Sequence, residues 1–308
     1  MGHFAMSMAS SECTVVMATY NGAKYLAEQL DSLDQQTVPP ARLIVSDDGS
    51  SDDTKEILAA YAKKAAFEVT LVDGPRQGYA ENFWSAAQLA QTRYLAWADQ
   101  DDVWLPEKLA WATAKLDGIG GAALYCARQL LVDESLNRIG LSAPLTGTAA
   151  FPASLTQNIA TGNTVVLNAE AIALIAASEP PPDTWHDWWC YLLVTAAGGT
   201  VLRDGRAVIL YRQHPENVVG APISAPLRAA AALRRGPRAF MTVFRANVEA
   251  LSAQPSLLSP QAKRDLAVVS RGLRGGLIAR LRALCLPGFV RNSAAQTALF
   301  RVWFFIGR

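Results

Sequence analysis

Long apolar runs are missing. Although 51% of the 308 residues are hydrophobic, no stretch of about 18 consecutive apolar residues occurs, which argues against a membrane-spanning helix. Paired cysteines are missing too. Cys13, Cys126, Cys190 and Cys285 stand far apart with no CxxC, so neither a zinc site nor a disulfide framework is indicated, and a reducing cytoplasm fits. Met1–Ser11 has no charged start and no long apolar core, so no secretory signal is expected. The absence of GxGxxG sets dinucleotide oxidoreductases aside. Acidic residues are scarce only at one end. Up to Ser224 the chain has 14 Lys and Arg against 25 Asp and Glu, whereas Ala225–Arg308 has 14 Lys and Arg against only Glu249 and Asp265. An acidic front followed by a basic tail is expected. Nucleic acid is not the expected partner, because the basic segment has no recognisable binding motif.

What is present begins with alternation of elements. Cys13–Ala18 reads as a buried strand, Thr19-Tyr20-Asn21-Gly22 as the turn after it, and Ala23–Leu33 as a helix with Tyr25, Leu26, Leu30 and Leu33 at helical spacing. Pro39-Pro40 precedes a second strand, Arg42–Ser46; a helix through Ile57, Leu58 and Tyr61 and a third strand at Glu68–Val72 follow. Strand, helix, strand, helix, strand implies a parallel sheet. In such sheets ligands sit beyond the carboxyl ends of the strands. The polar clusters Thr19-Tyr20-Asn21, Asp47-Asp48 and Asp99-Gln100-Asp101-Asp102 all fall there.

The last cluster is the most informative. Tyr94–Ala98 is apolar, and three carboxylates follow within four positions, an unfavourable place for charge unless a cation compensates. Asp99 and Asp101 share one face of an extended chain. Hard oxygen ligands suit Mg²⁺ or Mn²⁺, which keep waters and bind substrate phosphates alongside one or two carboxylates. The plainer alternative is a solvated turn, with Asp102 capping a helix that starts near Pro106. Tyr20 can serve as a platform for a base, and Asp47 or Asp48 can accept a pyrimidine N–H. Turn chemistry explains Gly49 and Ser50 equally well.

Val15–Gly22, Leu43–Thr54 and Ala96–Trp104 resemble, in order, the nucleotide-binding and DXD segments of family 2 glycosyltransferases. Gly78-Tyr79-Ala80-Glu81-Asn82-Phe83, Thr161-Gly162-Asn163-Thr164 and His186-Asp187-Trp188-Trp189 are similar to the segment between them, the donor-sugar region and the catalytic-base region. Tyr211-Arg212-Gln213-His214 followed by Asn217-Val218-Val219-Gly220 resembles the bacterial rhamnosyltransferase-like branch, where a glycine commonly stands at the position of Pro215. The resemblance implies a GT-A fold, α/β with a mostly parallel mixed sheet, over residues 12–224, and an inverting, metal-dependent sugar transfer. It implies a nucleotide-sugar donor, dTDP-L-rhamnose as the best match, held by Ala18, Thr19, Tyr20, Asn21, Asp47, Asp48, Arg76, Asp99, Gln100, Asn163 and Arg212. Asp99, Asp101 and His214 are the implied ligands of Mn²⁺ or Mg²⁺, and Arg212 a clamp for the diphosphate.

Such a transfer needs a neutralised leaving group and a deprotonated acceptor hydroxyl held in line. Asp187 is the expected base, its pKa raised if Trp185, Trp188 and Trp189 bury it; a helix cap is the alternative. Trp188 and Trp189 are candidate acceptor platforms, or core. His214 is alternatively a surface-loop histidine. One base opposite one leaving group means inversion.

Residues 225–308 read as a basic helical extension. Leu227–Leu233, Phe240–Leu251 and Ala262–Leu286 are helix candidates; Arg271, Arg274, Arg280 and Arg282 interleave with Leu273, Leu277, Ile278, Leu281 and Leu284, and Phe289, Phe300, Trp303, Phe304 and Phe305 follow. That pattern suits a helix on an anionic membrane surface, or else a helical subdomain or homodimer interface. A peripheral enzyme on the inner face of the cell membrane, with a lipid-linked saccharide acceptor for surface polysaccharide, is the expectation. A non-catalytic nucleotide-sugar binder is the second reading. A haloacid-dehalogenase-type phosphatase is disfavoured, since its first motif normally opens the chain.

Overall fold

The structure, a computed structural model, describes residues 12–182, 184–215, 217 and 225–307, with the backbone alone at 225–235. Val218, Val219 and Gly220, part of the string expected after His214, lie outside the described residues.

Strand β1 (Cys13–Thr19) is buried at all seven positions, as its run of apolar and β-branched residues requires of a strand covered on both faces. Helix α1 (Ala23–Asp34), β2 (Arg42–Asp47), α2 (Thr54–Ala62), β3 (Glu68–Asp73), α3 (Tyr79–Ala87) and β4 (Tyr94–Ala98) complete the parallel part. The register is the functional point. Thr19 stands opposite Asp47, Asp47 opposite Asp73, and Met17 opposite Ala98. The carboxyl ends of these strands therefore share one rim, and residues 99–102 leave β4 at that rim.

Next come β5 (Val103–Trp104), α4 (Lys108–Leu116), β6 (Ala123–Val132), β7 (Arg138–Leu141), α5 (Ala153–Thr156), β8 (Val166–Asn168), α6 (Ala169–Ala176), α7 (His186–Ala196) and β9 (Thr200–Arg212). Among the described residues the sheet has nine strands in the order β3-β2-β1-β4-β8-β6-β9-β5, with β7 on β6. β8 runs antiparallel to β4 and β6, and β6 runs parallel to β9. The short β5 pairs antiparallel with the end of β9, Val103 opposite Leu210. That pairing draws the residues after β9 onto the acidic loop.

Alternation sends side chains to two faces. Val15, Met17, Ala96 and Ala98 meet Leu26, Leu30 and Leu58 of α1 and α2, with Leu109 of α4. Val16, Leu95 and Trp97 meet Phe83 of α3 and Trp189 and Leu193 of α7.

Helices α8 (Ala225–Ala253), α9 (Pro260–Arg274), α10 (Leu277–Leu284) and α11 (Ala294–Ile306) follow. α8 breaks at Gly236 (φ 72°), just before Pro237, so the two helices expected around that point are joined end to end. The single segment expected at Ala262–Leu286 is likewise two helices, split at Gly275-Gly276. Phe289, Phe300, Trp303 and Phe304 are buried and pack with Phe240 and Phe244 of α8. These aromatics, expected at a membrane surface, are core. Phe289, Phe300 and Phe304 share one hydrophobic cluster with Trp188, Trp189 and Leu193 of α7.

Candidate active site

The rim at β1, β2 and β4 is held by its own polar side chains. Asp47 Oδ2 accepts from Thr19 Oγ1 (2.9 Å) and Ser50 Oγ (2.5 Å), and Oδ1 from the Ser50 and Gly49 amides (2.8 and 3.2 Å). Burial raises the Asp47 pKa, but these donors outweigh it and hold the carboxyl below the usual range. Asp48 accepts from the amides of Arg76 (2.6 Å) and Gly78 (2.9 Å). Both aspartates are thus engaged in shaping the rim, with Asp48 fixing the loop that carries the exposed Arg76. Gln100 clamps the first turn, accepting from the Tyr20 amide (2.9 Å) and donating to the Tyr20 carbonyl (3.1 Å). Tyr20 remains 59% exposed, free to meet a flat ligand. Asn21 sits at φ 48° and accepts from the Ser51 amide (2.8 Å), while Ala18 lies buried at the end of β1.

Beyond β4, the carboxylates of Asp99, Asp101 and Asp102 bring ligand atoms within 4.8 Å of one another. Burial, then Asp101, then Asp187 raise Asp99 to about 7. Asp102 is fully buried and pushed well above the ordinary range by burial, then by Asp99 and Asp101. It caps no helix; its Oδ2 accepts from Asn163 Nδ2 at 2.6 Å, and Glu107 precedes α4. Carboxylates crowded so closely raise one another's pKa unless a cation compensates them. Hard oxygen donors with one imidazole nearby are a donor set suited to Mn²⁺ or Mg²⁺.

His214 reaches the cluster, its Nε2 lying 2.8 Å from Asp101 Oδ2, with Tyr25 beside the ring at 5.0 Å. Its backbone amide donates to Asn217 Oδ1 (2.7 Å). Arg212 does not act as expected. Its guanidinium is 1% exposed and donates to the Asp101 carbonyl (2.9 Å), the Glu134 carbonyl and the Glu28 carboxylate, with the Tyr25 ring 4.4 Å below. With each guanidinium nitrogen donating inside the protein and only 1% of the side chain exposed, it braces the acidic loop instead of presenting itself at the rim.

Asp187 lies in the first turn of α7, where Trp185 is the N-cap. Its Oδ2 accepts from the Gly162 amide (2.9 Å) and its Oδ1 from the Trp188 amide (2.6 Å). Burial raises its pKa to about 6 against the opposing pull of these bonds and of Asn158. Gly162 is required at this approach: a Cβ there would stand 2.8 Å from His186 Nε2. His186 itself is buried, stacks on Phe83 at 4.2 Å, and is driven down to about 3 by burial, so it is neutral.

Trp188 and Trp189 are not acceptor platforms. They are 6% and 0% exposed, with indole N–H groups donating to the Ser154 carbonyl (2.8 Å) and Ser178 Oγ (3.1 Å). Trp185, half-buried and 6.3 Å from Trp188 between ring centroids, is nearer the surface. Asn163 is 2% exposed and works behind the carboxylates. It donates to Asp102, accepts from Gln129 Nε2 (2.8 Å), and its carbonyl accepts from Lys108 Nζ (2.6 Å). Lys108 escaped the sequence reading. It is fully buried, with its ammonium 3.1 Å from the Trp104 ring centroid. Its spacing from Asp102 was the only available signal.

Residues 14–163 match the family model for glycosyl transferase family 2. A dTDP-rhamnosyl transferase of Shigella flexneri, RfbG, is 27% identical over 227 residues, covering 68% of this chain and 75% of that protein. Three further relatives are matched over only 30–38% of their length. Among solved structures, Staphylococcus aureus TarS (residues 1–349) with UDP-GlcNAc superposes with a TM-score of 0.59 at 18% identity, over 88% of this chain and 78% of that one. The mannosyltransferase PcManGT of Pyrobaculum calidifontis with GDP-Man and Mn²⁺ gives 0.51 at 19%, over 95% and 87%. With this sheet, the acidic rim and these likenesses together, residues 14–163 form a family 2 glycosyltransferase domain, and the chain has the GT-A fold.

Proposed function

We propose that the protein transfers L-rhamnose from dTDP-L-rhamnose, with inversion and with Mn²⁺ or Mg²⁺, to a lipid-linked saccharide acceptor during surface polysaccharide synthesis. The observation that carries the reading is the pairing of Asp187, held by the Gly162 and Trp188 amides and raised to about 6 by burial, with the Asp99–Asp102 cluster, whose Asp99 feels the charge of Asp187. The 27% identity to the S. flexneri dTDP-rhamnosyl transferase supports the donor. No described helix is long and apolar enough to cross a membrane, and peripheral attachment at the cytoplasmic face belongs to the same proposal.

Asp99 and Asp101, with His214 beside them, would hold the metal, which supplies positive charge to the departing diphosphate. Tyr20 offers its ring to the base, and the Asp48-braced loop presents Arg76 at the same rim. Asp187 accepts the proton of the acceptor hydroxyl as the new bond forms, the Gly162 and Trp188 amides keeping its carboxylate oriented. His186, neutral and apolar in its contacts, leaves the charge of that site to Asp187 alone.

The test is nucleoside diphosphate release from a panel of nucleotide sugars with metal and acceptor. Release from dTDP-rhamnose is expected, reduced at least about 10²-fold in Asp187→Asn and abolished in Asp101→Ala. Release from a different donor would correct the sugar. Metal-dependent nucleotide binding without release from any donor would replace the enzyme with a binding protein.

A further inference from the structure

We infer that α10 and the carboxyl-terminal end of α11 form one surface that seats on an anionic lipid bilayer. Six of the eleven large apolar side chains exposed among the described residues lie here. On α10 they are Leu277, Ile278 and Leu281, at 57%, 69% and 48% exposure. On α11 they are Val302, Phe305 and Ile306, at 53%, 41% and 59%. Arg280 of α10 donates to the Phe305 carbonyl, which ties the two sets together. The opposite faces are spent on the core: Ala283, Phe300 and Phe304 are at 0–1%. Apolar area gathered in one place, rather than scattered singly, marks an interaction surface.

Charge selects the occupant. At 100° per residue, Leu277, Ile278 and Leu281 form a stripe bounded by Arg280 on one side and Arg282 on the other. Arg282 and Arg301 are exposed, and neither they nor Arg280 pairs with a carboxylate among the described residues. An apolar stripe with a cationic rim matches an anionic bilayer, where acyl chains take the leucines and headgroups take the arginines. A second copy of this chain would set one cationic rim against another, since Ala225–Arg308 carries only Glu249 and Asp265 against its 14 Lys and Arg.

The surface is coupled to the site. Between α10 and α11, the Val290 carbonyl accepts from Thr156 Oγ1 (2.8 Å), and the Asn292 amide donates to Gln157 Oε1 (3.2 Å). Asn158, next in the chain, hydrogen-bonds Asp187. Seating would hold the catalytic base at a fixed height above the bilayer, a role that rests on the lipid-linked acceptor proposed above.

The full chain is mixed with vesicles of phosphatidylcholine alone or with phosphatidylglycerol and sedimented. Binding to the anionic vesicles only is expected, weakened at least tenfold in Ile278→Ser/Leu281→Ser and in Arg282→Glu/Arg301→Glu. Both double variants should keep the wild-type thermal midpoint and donor turnover on a soluble acceptor. No binding to anionic vesicles, or equal binding by the variants, overturns the inference. So does a solution dimer that the Ile278→Ser/Leu281→Ser variant dissociates while vesicles are ignored. Vesicle binding is read without any donor, so binding without turnover would remove the proposed reaction and leave the surface, whereas turnover without binding would do the reverse.

Discussion

At Asp187, burial holds the carboxyl near 6 while two backbone amides keep it oriented. A base with that pKa is ionised at neutral pH yet takes a proton more readily than an exposed aspartate. The free enzyme's kcat/KM should fall about tenfold per pH unit below about 6 and level off above it, measured as donor turnover at saturating metal; a plateau running down to about pH 4 would remove Asp187 from the role. For stability the sign is opposite. The carboxyl is neutral in both folded and unfolded chains below about pH 4, and the folded state loses its advantage as pH rises through about 6, where the buried group has to ionise. Asp187 was legible in the sequence because it follows His186 within an aromatic segment. Its orienting partner Gly162 and the buried Lys108 were not legible as such: their contacts reach Asp187 and Asn163, 25 and 55 positions away, and no local pattern encodes them. Trp188 and Trp189 misled for the same reason, since a tryptophan beside an aspartate has the same spelling whether it faces substrate or core.

At the level of elements, the pairing of β5 with β9 brings His214 to Asp101, and Arg212 locks the junction. A phosphate clamp and a structural brace predict different mutant behaviour. For the brace, Arg212→Lys should behave much like Arg212→Met, because a lysine cannot reproduce three donations in a planar fork. Both should cost about 2–3 kcal/mol, with the lost hydrogen bonds dominating and the pairing to the half-exposed Glu28 discounted for solvent. Urea unfolding would show it, together with a raised metal requirement for turnover as Asp101 and His214 loosen. A lysine variant of wild-type stability with only weakened donor binding would restore the clamp. The strands themselves were readable because parallel, doubly covered strands are apolar runs ending in polar turns, so the strand positions and the shared rim followed from β1, β2 and β4. The β5–β9 pairing was not readable, as Val103-Trp104 is too short to carry a period.

Across the whole molecule, the change of composition at Ala225 marks a change in surface charge, while the interior runs on unbroken. Phe240, Phe244, Phe289, Phe300 and Phe304 form one aromatic group, with Phe289 and Phe300 edge to face at 4.9 Å, and the same hydrophobic cluster reaches Trp188 and Trp189 of α7. The periodic aromatics of the tail satisfied a membrane pattern and a core pattern equally, because a helix repeats every 3.6 residues whichever medium covers its apolar face. Among the described residues of the tail, the large apolar positions left over, on α10 and the end of α11, still face outward. Phe300→Ala should therefore cost about 3–5 kcal/mol and lower a single calorimetric transition, with donor turnover lost at the same temperature as the heat is absorbed. Two resolved transitions, the upper one coinciding with loss of turnover and unmoved by the substitution, would show that the helices after Ala225 fold apart from the sheet. In that case the hydrogen bonds between Thr156 and Val290 and between Asn292 and Gln157 would join two separately folding bodies, and tilting of the tail on a bilayer would no longer carry Asp187 with it.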